Sequence, residues 1–241
     1  MHDSEMFDFI QRCASRREVK PLLDDLLHVV SQLGFYHLIL SGVPVRGQKL
    51  DQLVELNGWP EDWYRRYLER DYASVDSVCA YSAVSHAPFH WKDIPQLYSG
   101  TRESIRVSGE AAEFGIVSGF AVPFVSFRYW QSVVSFASPW KDCTLSARQK
   151  AQIVTIATFA GGAVEALTFS DGRKERVELS DRERDILLWL AEGKSAWEIG
   201  EILGIAEVTV KWHSRRIREK FGVATTVQAV VEAIRCRAIL P

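Results

Sequence analysis

The sequence predicts an α+β chain: an α-β-α sandwich followed by an all-α four-helix unit. Three observations carry that expectation. Over roughly the first 170 residues, apolar positions switch between helical and strand spacing. A polar stretch around one glycine, Ser170-Asp171-Gly172-Arg173-Lys174-Glu175-Arg176, then interrupts every periodic pattern and reads as a connector. Beyond it only helical spacing remains, punctuated by single glycines.

Composition bounds what the chain can be. Its 241 residues allow one large domain or two small ones, and 47% hydrophobic with 25% charged residues is ordinary globular composition, which excludes disordered and fibrous classes. The net charge of -2 excludes a uniformly basic coat. Residues 173–241 nevertheless carry 13 Lys or Arg against 11 Asp or Glu, while residues 1–172 carry 16 against 20. The excess concentrates between Glu207 and Lys220, with five cations and two anions, a local patch suited to a polyanion. The uninterrupted apolar runs are shorter than the roughly 18 residues of a membrane span, and the amino terminus lacks an export pattern, so no membrane partner and a cytoplasmic location are expected. The cysteines at 13, 79, 143 and 236 are far apart in sequence and signal neither a metal clip nor a redox pair.

In chain order, Val19 to Leu33 has helical spacing, with Leu22, Leu23, Leu26, Leu27 and Val30 on one stripe, and Gly34 ends it. Phe35 to Leu40 reads as a strand, Asp62 to Arg70 as a helix, and 120–125 with 132–137 as a hairpin. Ser146 to Leu167 reads as a long helix with Ile153, Ile156, Ala160, Val164 and Leu167 on one face. Helices flanking a sheet in this order give the sandwich.

The C-terminal part carries the sharpest local signals. Ser180 and Glu183 make a capping box, Ile186, Leu187, Leu190 and Ala191 form an apolar face, and Gly193 stops the helix. Ala196 to Leu203 is a second helix with Ile199, Ile202 and Leu203 inward, and Gly204 supplies a turn. A third helix from Glu207 to Lys220 is expected to bury Val208, Val210 and Ile217 and to present Lys211, Ser214, Arg215 and Arg218. A fourth, from Thr226 to about Ile239, closes the bundle. A short helix, a glycine turn and a basic helix form a helix-turn-helix that a major groove admits. Phosphate contacts would supply affinity and base-edge contacts specificity. A solvated charged face is the common alternative for a cation run; here caps, turn and cations coincide in one unit. His213 has no second ligand at a useful spacing and reads as structural or phosphate-facing.

Aromatic residues cluster in the first part. Trp59, Trp63 and Tyr67 recur at i, i+4 and i+8, followed by Asp76 and Trp91. Indole N–H and phenol O–H groups on apolar walls suit an amphiphile with a few carbonyls, and a carboxylate such as Asp76 suits an amide N–H. Aromatic stripes at this spacing are more often plain core, and the residues alone leave both open. Gly115-Ile116-Val117-Ser118-Gly119 is not a nucleophile elbow, and no His pairs with an acid cluster, so no enzyme is expected. Asp24-Asp25 lies in a helical pattern rather than at a strand end, which argues against a phosphorylated receiver.

LSDRERDILLWLAEGKSAWEIGEILGIAEVTVKWHSRRIREKFGV, residues 179–223, resembles the LuxR-type (GerE-like) helix-turn-helix through Glu183, Leu187, Gly193, Lys194, Ile199, Leu203, Val208, Thr209, Val210, Lys211, His213 and Lys220. Ala206 departs from the Ser that usually caps the recognition helix. NGWPEDWYRRYLERDYASVDS, Trp91 and EFGIVSGFAVPF resemble the autoinducer-binding domain of LuxR-type quorum-sensing receptors, so the likeness spans roughly residues 5 to 240. It implies a transcriptional regulator that binds an N-acyl-homoserine lactone and, as a homodimer, a palindromic operator, with RNA polymerase as a further partner, activation as the outcome and no cofactor. It implies residues 1–169 as the ligand-binding and dimerisation domain, 170–176 as the linker and 177–241 as the DNA-binding domain; the Ser146 to Leu167 helix, rich in Ala and Ile, is expected to be the dimer face.

The resemblance also implies roles. Trp63 is similar to the donor to the lactone carbonyl, Asp76 to the acceptor of the amide N–H, and Tyr67 and Trp91 to aromatic walls. Trp59 stands where many members have a Tyr reaching the amide carbonyl, and Ser135 resembles a second donor to it. Gly119 resembles the Gly that leaves space beside the ring, and Ala111 a small residue against the lactone. Val78 and Ala121 stand where some members have Thr, and Ser77 where most have Pro. DNA contact is implied for Lys194, Glu207, Thr209, Lys211, Trp212, Ser214, Arg215, Arg216 and Arg218. A regulator answering to another small molecule, or to none, shares all these features except the pocket chemistry.

Overall fold

The computed structural model describes residues 1–45, 47–126, 131–171, 177–236 and 238–240. The chain forms two compact units, 1–171 and 172–241. In the N-terminal unit the order is α1 (Asp3–Ser15), α2 (Val19–Ser31), β1 (His37–Gly42), β2 (Val54–Asn57), α3 (Glu61–Glu69), α4 (Ser77–Ser82), β3 (Phe89–His90), α5 (Gln96–Ser99), α6 (Arg102–Ala112), β4 (Ser118–Phe124), β5 (Ser132–Ser138) and α7 (Ala147–Asp171). The sheet runs β2-β1-β5-β4-β3 with every pair antiparallel. Pro123 is tolerated in β4 because β3 pairs only with Phe120 and Ala121, leaving the strand unpaired on that side beyond them.

Side chains alternate across a strand, so the sheet divides two cores. Leu38, Leu40, Phe120, Val122, Val134 and Phe136 face α1, α2 and α7, meeting Phe9, Leu22, Leu26, Ile153 and Ile156. Ile39 and Ala137 face the other way, toward Trp63 and Tyr67 of α3 and Val107 and Ala111 of α6. Register places Ile39, Ser135 and Ala121 in one row across β1, β5 and β4, and Gly119 opposite Ala137. Apart from Ile39, this second face is therefore a floor of small residues, above which large aromatics fit.

Elements whose polar positions dominate escaped sequence reading. α1 buries only Phe9 and Cys13, and α6 only Ser104, Val107 and Ala111. The first strand starts at His37 rather than Phe35 and runs to Gly42. α7 extends through Ser170 and Asp171, the first two residues of the expected connector, and 172–176 lie outside the described residues. α7 also corrects the estimate of apolar length: Ala147–Thr168 is 22 residues with mean hydropathy 1.3, long and apolar enough to cross a membrane. Polar residues break its apolar runs, but Thr155 and Thr158 turn their hydroxyls back onto the Ala151 and Val154 carbonyls at 2.9 Å. Its inner stripe, Ile153, Ile156, Ala157, Ala160 and Val164, is fully buried in the core of this unit.

The C-terminal unit comprises α8 (Asp181–Ala191), α9 (Ala196–Leu203), α10 (Glu207–Phe221) and α11 (Thr226–Arg235). Reciprocal capping boxes start three of them: Ser180 with Glu183, Ser195 with Glu198, and Thr225 with Gln228. Ile186, Leu187, Ile199, Val210, Ile217, Ala229 and Ala233 make the core. Gly200 lets α9 press on the turn, since a Cβ there would lie 2.7 Å from the Ile205 carbonyl oxygen. Two expected core residues face outward instead: Ile202 is 45% and Val208 71% exposed.

Candidate functional site

Trp59, Trp63 and Tyr67 converge above the small-residue floor. Trp63 and Tyr67 occupy successive turns of α3, while Trp59 precedes the helix and folds back on both, with ring centroids 6.4 and 5.1 Å away. Trp63 and Tyr67 stand 5.7 Å apart, edge to face. Tyr72, which sequence reading passed over, closes the group at 5.9 Å from Trp63 and 5.8 Å from Tyr67. Asp71, at φ 48°, holds the left-handed turn that delivers Tyr72, a conformation short polar side chains tolerate. Outside, Arg66 pairs with Glu113 at 3.1 Å and Arg70 with Glu110 at 2.9 Å, tying α3 to α6.

The cluster is short of acceptors. Among the described residues, the indole N–H groups of Trp59, Trp63 and Trp91 and the Ser135 hydroxyl are buried with no hydrogen-bond partner. Such groups are rare in native cores and each carries a cost of about 1–3 kcal/mol unless a partner arrives. The nearby acceptor is Asp76. Its Oδ1 accepts from the Val78 N–H at 2.8 Å, capping α4, and its Oδ2 accepts from the Tyr67 hydroxyl at 2.7 Å. A carboxylate has further lone pairs to offer an incoming N–H. Burial pushes the Asp76 carboxyl above its usual range, against the Tyr67 hydroxyl and the Val78 N–H. Burial, with Asp76 beside it, also raises the Tyr67 hydroxyl, and the Cys79 thiol is pushed up to about 12. Cys79, another residue missed from sequence, has its Sγ 3.5 Å from the Tyr67 oxygen.

The remaining residues are distributed around this group. Ala111 packs in the same core as Trp63 and Tyr67, whereas Ala121 and Val78 belong to the adjoining cluster of Val43, Phe89, Ile94 and Val133. Trp91 touches both. Gly119 does not stand beside open space: a Cβ there would lie 2.3 Å from Trp91 Cε2, so the indole lies directly on the glycine. Two clefts of about 340 and 330 Å³ are lined elsewhere, one by Asp62, Arg65, Arg66, Glu69, Arg70 and Phe114, the other by Pro88, Phe89, His90, Asp93, Phe120, Lys150, Ala151 and Val154.

In the C-terminal unit, α10 gathers the expected DNA-contacting side chains except Lys194, which precedes α9 and stands 4.0 Å from Glu198. Lys211 pairs with Glu207 at 2.6 Å and Arg215 with Glu219 at 2.8 Å, both exposed i,i+4 pairs worth little and readily exchanged for phosphate. Arg216 lies over the Trp212 ring, 4.8 Å from its centroid. Ser214 and Arg218 are partly buried instead of fully presented: Ser214 donates to the Val210 carbonyl at 2.8 Å and Arg218 to the Ala224 carbonyl at 3.2 Å. Thr209 is partly buried, and its N–H bonds the Ala206 carbonyl at 2.9 Å; Ala206 itself gives α10 no side-chain cap. Behind the helix, Lys220 donates to the buried Glu183 at 2.6 Å and to the Glu178 carbonyl at 2.7 Å. Burial pushes the Glu183 carboxyl up, but Lys220 and Ser180 outweigh it and hold it below its ordinary value. Burial lowers the His213 imidazole below its ordinary value, although Glu183 nearby works against the shift.

Comparison with known proteins identifies the family of both units. Residues 19–191 match the model of the autoinducer binding domain, and residues 177–233 that of the bacterial regulatory proteins of the luxR family. The chain is 34% identical over 219 residues to the quorum sensing-dependent transcriptional regulator RpaR of Rhodopseudomonas palustris, covering 91% of this chain and 88% of that one. It is 30% identical to the transcriptional activator BjaR1 of Bradyrhizobium diazoefficiens, covering 98% and 97%. The fold is similar to that of SdiA solved with octanoyl-rac-glycerol, with a TM-score of 0.77 at 20% identity over 97% of this chain and 94% of that one. The chain therefore belongs to the LuxR family of quorum-sensing transcriptional regulators, which are not enzymes, and joins an autoinducer-binding domain to a DNA-binding helix-turn-helix.

Proposed function

We propose that the N-terminal unit binds an N-acyl-homoserine lactone among Trp59, Trp63, Tyr67, Asp76, Trp91 and Ser135, and that the liganded homodimer binds a palindromic operator in the cytoplasm and activates transcription through RNA polymerase. Residues 1–169 serve ligand and dimer, 170–176 link, and 177–241 bind DNA. The observation that carries the ligand is the set of orphaned buried donors, Trp59, Trp63, Trp91 and Ser135, together with the Asp76 carboxylate bonded to Tyr67 of the same aromatic group. An acyl-homoserine lactone brings two carbonyl oxygens and one amide N–H. Trp63 donates to the lactone carbonyl, Ser135 to the amide carbonyl, and Asp76 accepts the N–H. Because Trp91 lies on Gly119, the guest must displace aromatic walls as it enters, and it stabilises the unit by mass action. The outward face of α7, where Phe159 is 46% exposed, supports its use as the dimer face.

SdiA's octanoylglycerol suggests a second reading, an acyl ester guest. Asp76 can accept from a lactone's amide N–H or from a free glycerol hydroxyl, so the retained molecule itself decides between the two readings. The test is to purify the full chain from cells supplied with a panel of acyl-homoserine lactones and identify the retained molecule by mass spectrometry. One lactone retained in near-equal ratio, and lost in Asp76→Ala, is the expected result. An acylglycerol alone would establish the second reading, and an empty pocket across the panel would defeat both. Lys211→Ala and Arg215→Ala should abolish operator binding and spare ligand retention; unchanged operator affinity would remove α10 from the DNA.

A further inference from the structure

The outward side of α10 is not purely ionic. Val208 is 71% and Trp212 51% exposed, and they sit one helical turn apart. Exposed apolar side chains also stand on α9 (Trp197, Ile202) and α11 (Val227, Val231), but here an aliphatic and an indole adjoin a row of cations, a combination that suits an occupant with both apolar and anionic parts. The neighbours identify its charge. Lys211, Arg215 and Arg216 flank the pair, and the family places a DNA-binding function on this unit. Arg216 differs from the other two cations: no described carboxylate pairs with it, and its guanidinium rests over the Trp212 ring at 4.8 Å. The stack limits the side chain's freedom and fixes the direction of its fork, which a guanidinium uses in planar recognition.

We propose that Val208 and Trp212 form an apolar ridge that reads thymine C5-methyl groups in the major groove, and that Trp212 positions Arg216 against the adjoining strand. This rests on α10 being the helix that enters the groove. The chemistry is specific to one base. In the major groove thymine alone carries an exposed methyl, and apolar side chains distinguish it by contact. The ridge therefore confers sequence preference, while Lys211 and Arg215 supply the polyanion attraction that Val208 and Trp212 cannot.

The test replaces thymine by deoxyuridine, which removes the methyl and leaves base pairing intact. Full-length protein, expressed with the lactone panel, selects duplexes from a randomised library, and each thymine of the enriched half-site is replaced singly. At one or two positions the wild-type chain should lose about 3- to 10-fold in affinity, in line with the discrimination of a lost base contact. Trp212→Ala and Val208→Ala should bind the parent duplex more weakly and show no further loss at those positions, and Trp212→Phe should restore part of the sensitivity. Arg216→Ala should keep the methyl sensitivity but lower the salt dependence by about one charge. Equal methyl sensitivity in wild type and Trp212→Ala, or none in either while both still bind tightly, overturns the ridge. If Lys211→Ala leaves binding untouched as well, the fault lies with the placement of α10 rather than with the ridge.

Discussion

The two units treat their polar groups in opposite ways. In the C-terminal unit three of four helices open on reciprocal capping boxes, and the buried Glu183 is bonded by Lys220 and by the Ser180 N–H. In the N-terminal unit three indole N–H groups and one hydroxyl are buried unpaired around a single face of the sheet. A reading head must hold its shape before it meets DNA, so its helix starts are bonded, even though the buried His213 Nδ1 and Arg218 Nε have no partner among the described residues. A sensor must gain stability on meeting its guest, so its bonds are left open. On the proposed function, the difference puts the free energy that a ligand supplies in the first unit and the pre-organised helix starts in the second.

Close-packed glycines give the largest test of that contrast. Gly119→Ala sets a Cβ against the Trp91 ring at 2.3 and 2.5 Å and against the Phe136 carbonyl oxygen at 2.5 Å, and a backbone oxygen inside a sheet cannot retreat. A loss of at least about 3 kcal/mol is expected, beyond ordinary overpacking. Gly200→Ala meets the Ile205 carbonyl at 2.7 Å, but alanine's higher helix propensity returns about 1 kcal/mol, so the net loss should be about 1–2 kcal/mol. Urea unfolding of the full chain, followed by hydrogen exchange in each unit, separates the two. A milder effect at 119 than at 200 would contradict the packing of Trp91 on the glycine.

Acid should act on one carboxyl of each unit in opposite directions. Glu183 has a depressed folded value, so its contribution is present above the unfolded carboxylate range and is lost as pH falls through the depressed value. Asp76 has a raised folded value, so its ionisation weighs against folding as pH rises from the unfolded value through the raised one. Glu183→Gln should destabilise the C-terminal unit at neutral pH by about 2 kcal/mol, less than a fully buried pair because Lys220 remains partly exposed, and should flatten its acid transition. Asp76→Asn should instead stabilise the ligand-free N-terminal unit at neutral pH while lowering lactone retention at least tenfold. Amide exchange measured from neutral to acid pH on each variant checks both signs; a ligand-free unit weakened by Asp76→Asn would show that the carboxylate is structural.

How far these features can be read from sequence depends on their range along the chain. Ser180 with Glu183, Gly204 after α9, and the spacing of Trp63 and Tyr67 are local patterns and were legible. The Trp91–Gly119 contact was not, because sheet register brings together β4 and the turn after β3, and the same register sets the floor of Gly119, Ala121, Ser135 and Ala137. Tyr72 depends on one left-handed residue, Asp71, that no periodicity reveals. Val208 and Ile202 were misplaced for a different reason. Apolar periodicity assumes that apolar means inward, yet much of a folded protein's surface is apolar, and these two side chains belong to it.

The smallest expected effect sharpens the comparison at its one exception, α10, whose N-cap is Ala206. Its backbone is extended there, φ −65° and ψ 145°, the geometry of a serine cap, and the residue is exposed, so Ala206→Ser introduces no strain. A cap ordinarily contributes about 1 kcal/mol. Here the Thr209 N–H already bonds the Ala206 carbonyl at 2.9 Å, so the new hydroxyl gains chiefly the Val208 N–H, and about 0.5 kcal/mol is expected. Slower exchange at the Val208 amide with an unchanged first unit would show the gain. Operator affinity decides what the missing cap means. Orphan N–H groups at a helix start also bind phosphate, and a serine that occupies them competes with DNA. Weaker operator binding in the more stable variant would mark the bare N-terminus of α10 as a phosphate contact, whereas unchanged binding would leave Ala206 a simple loss of stability in a unit otherwise capped throughout.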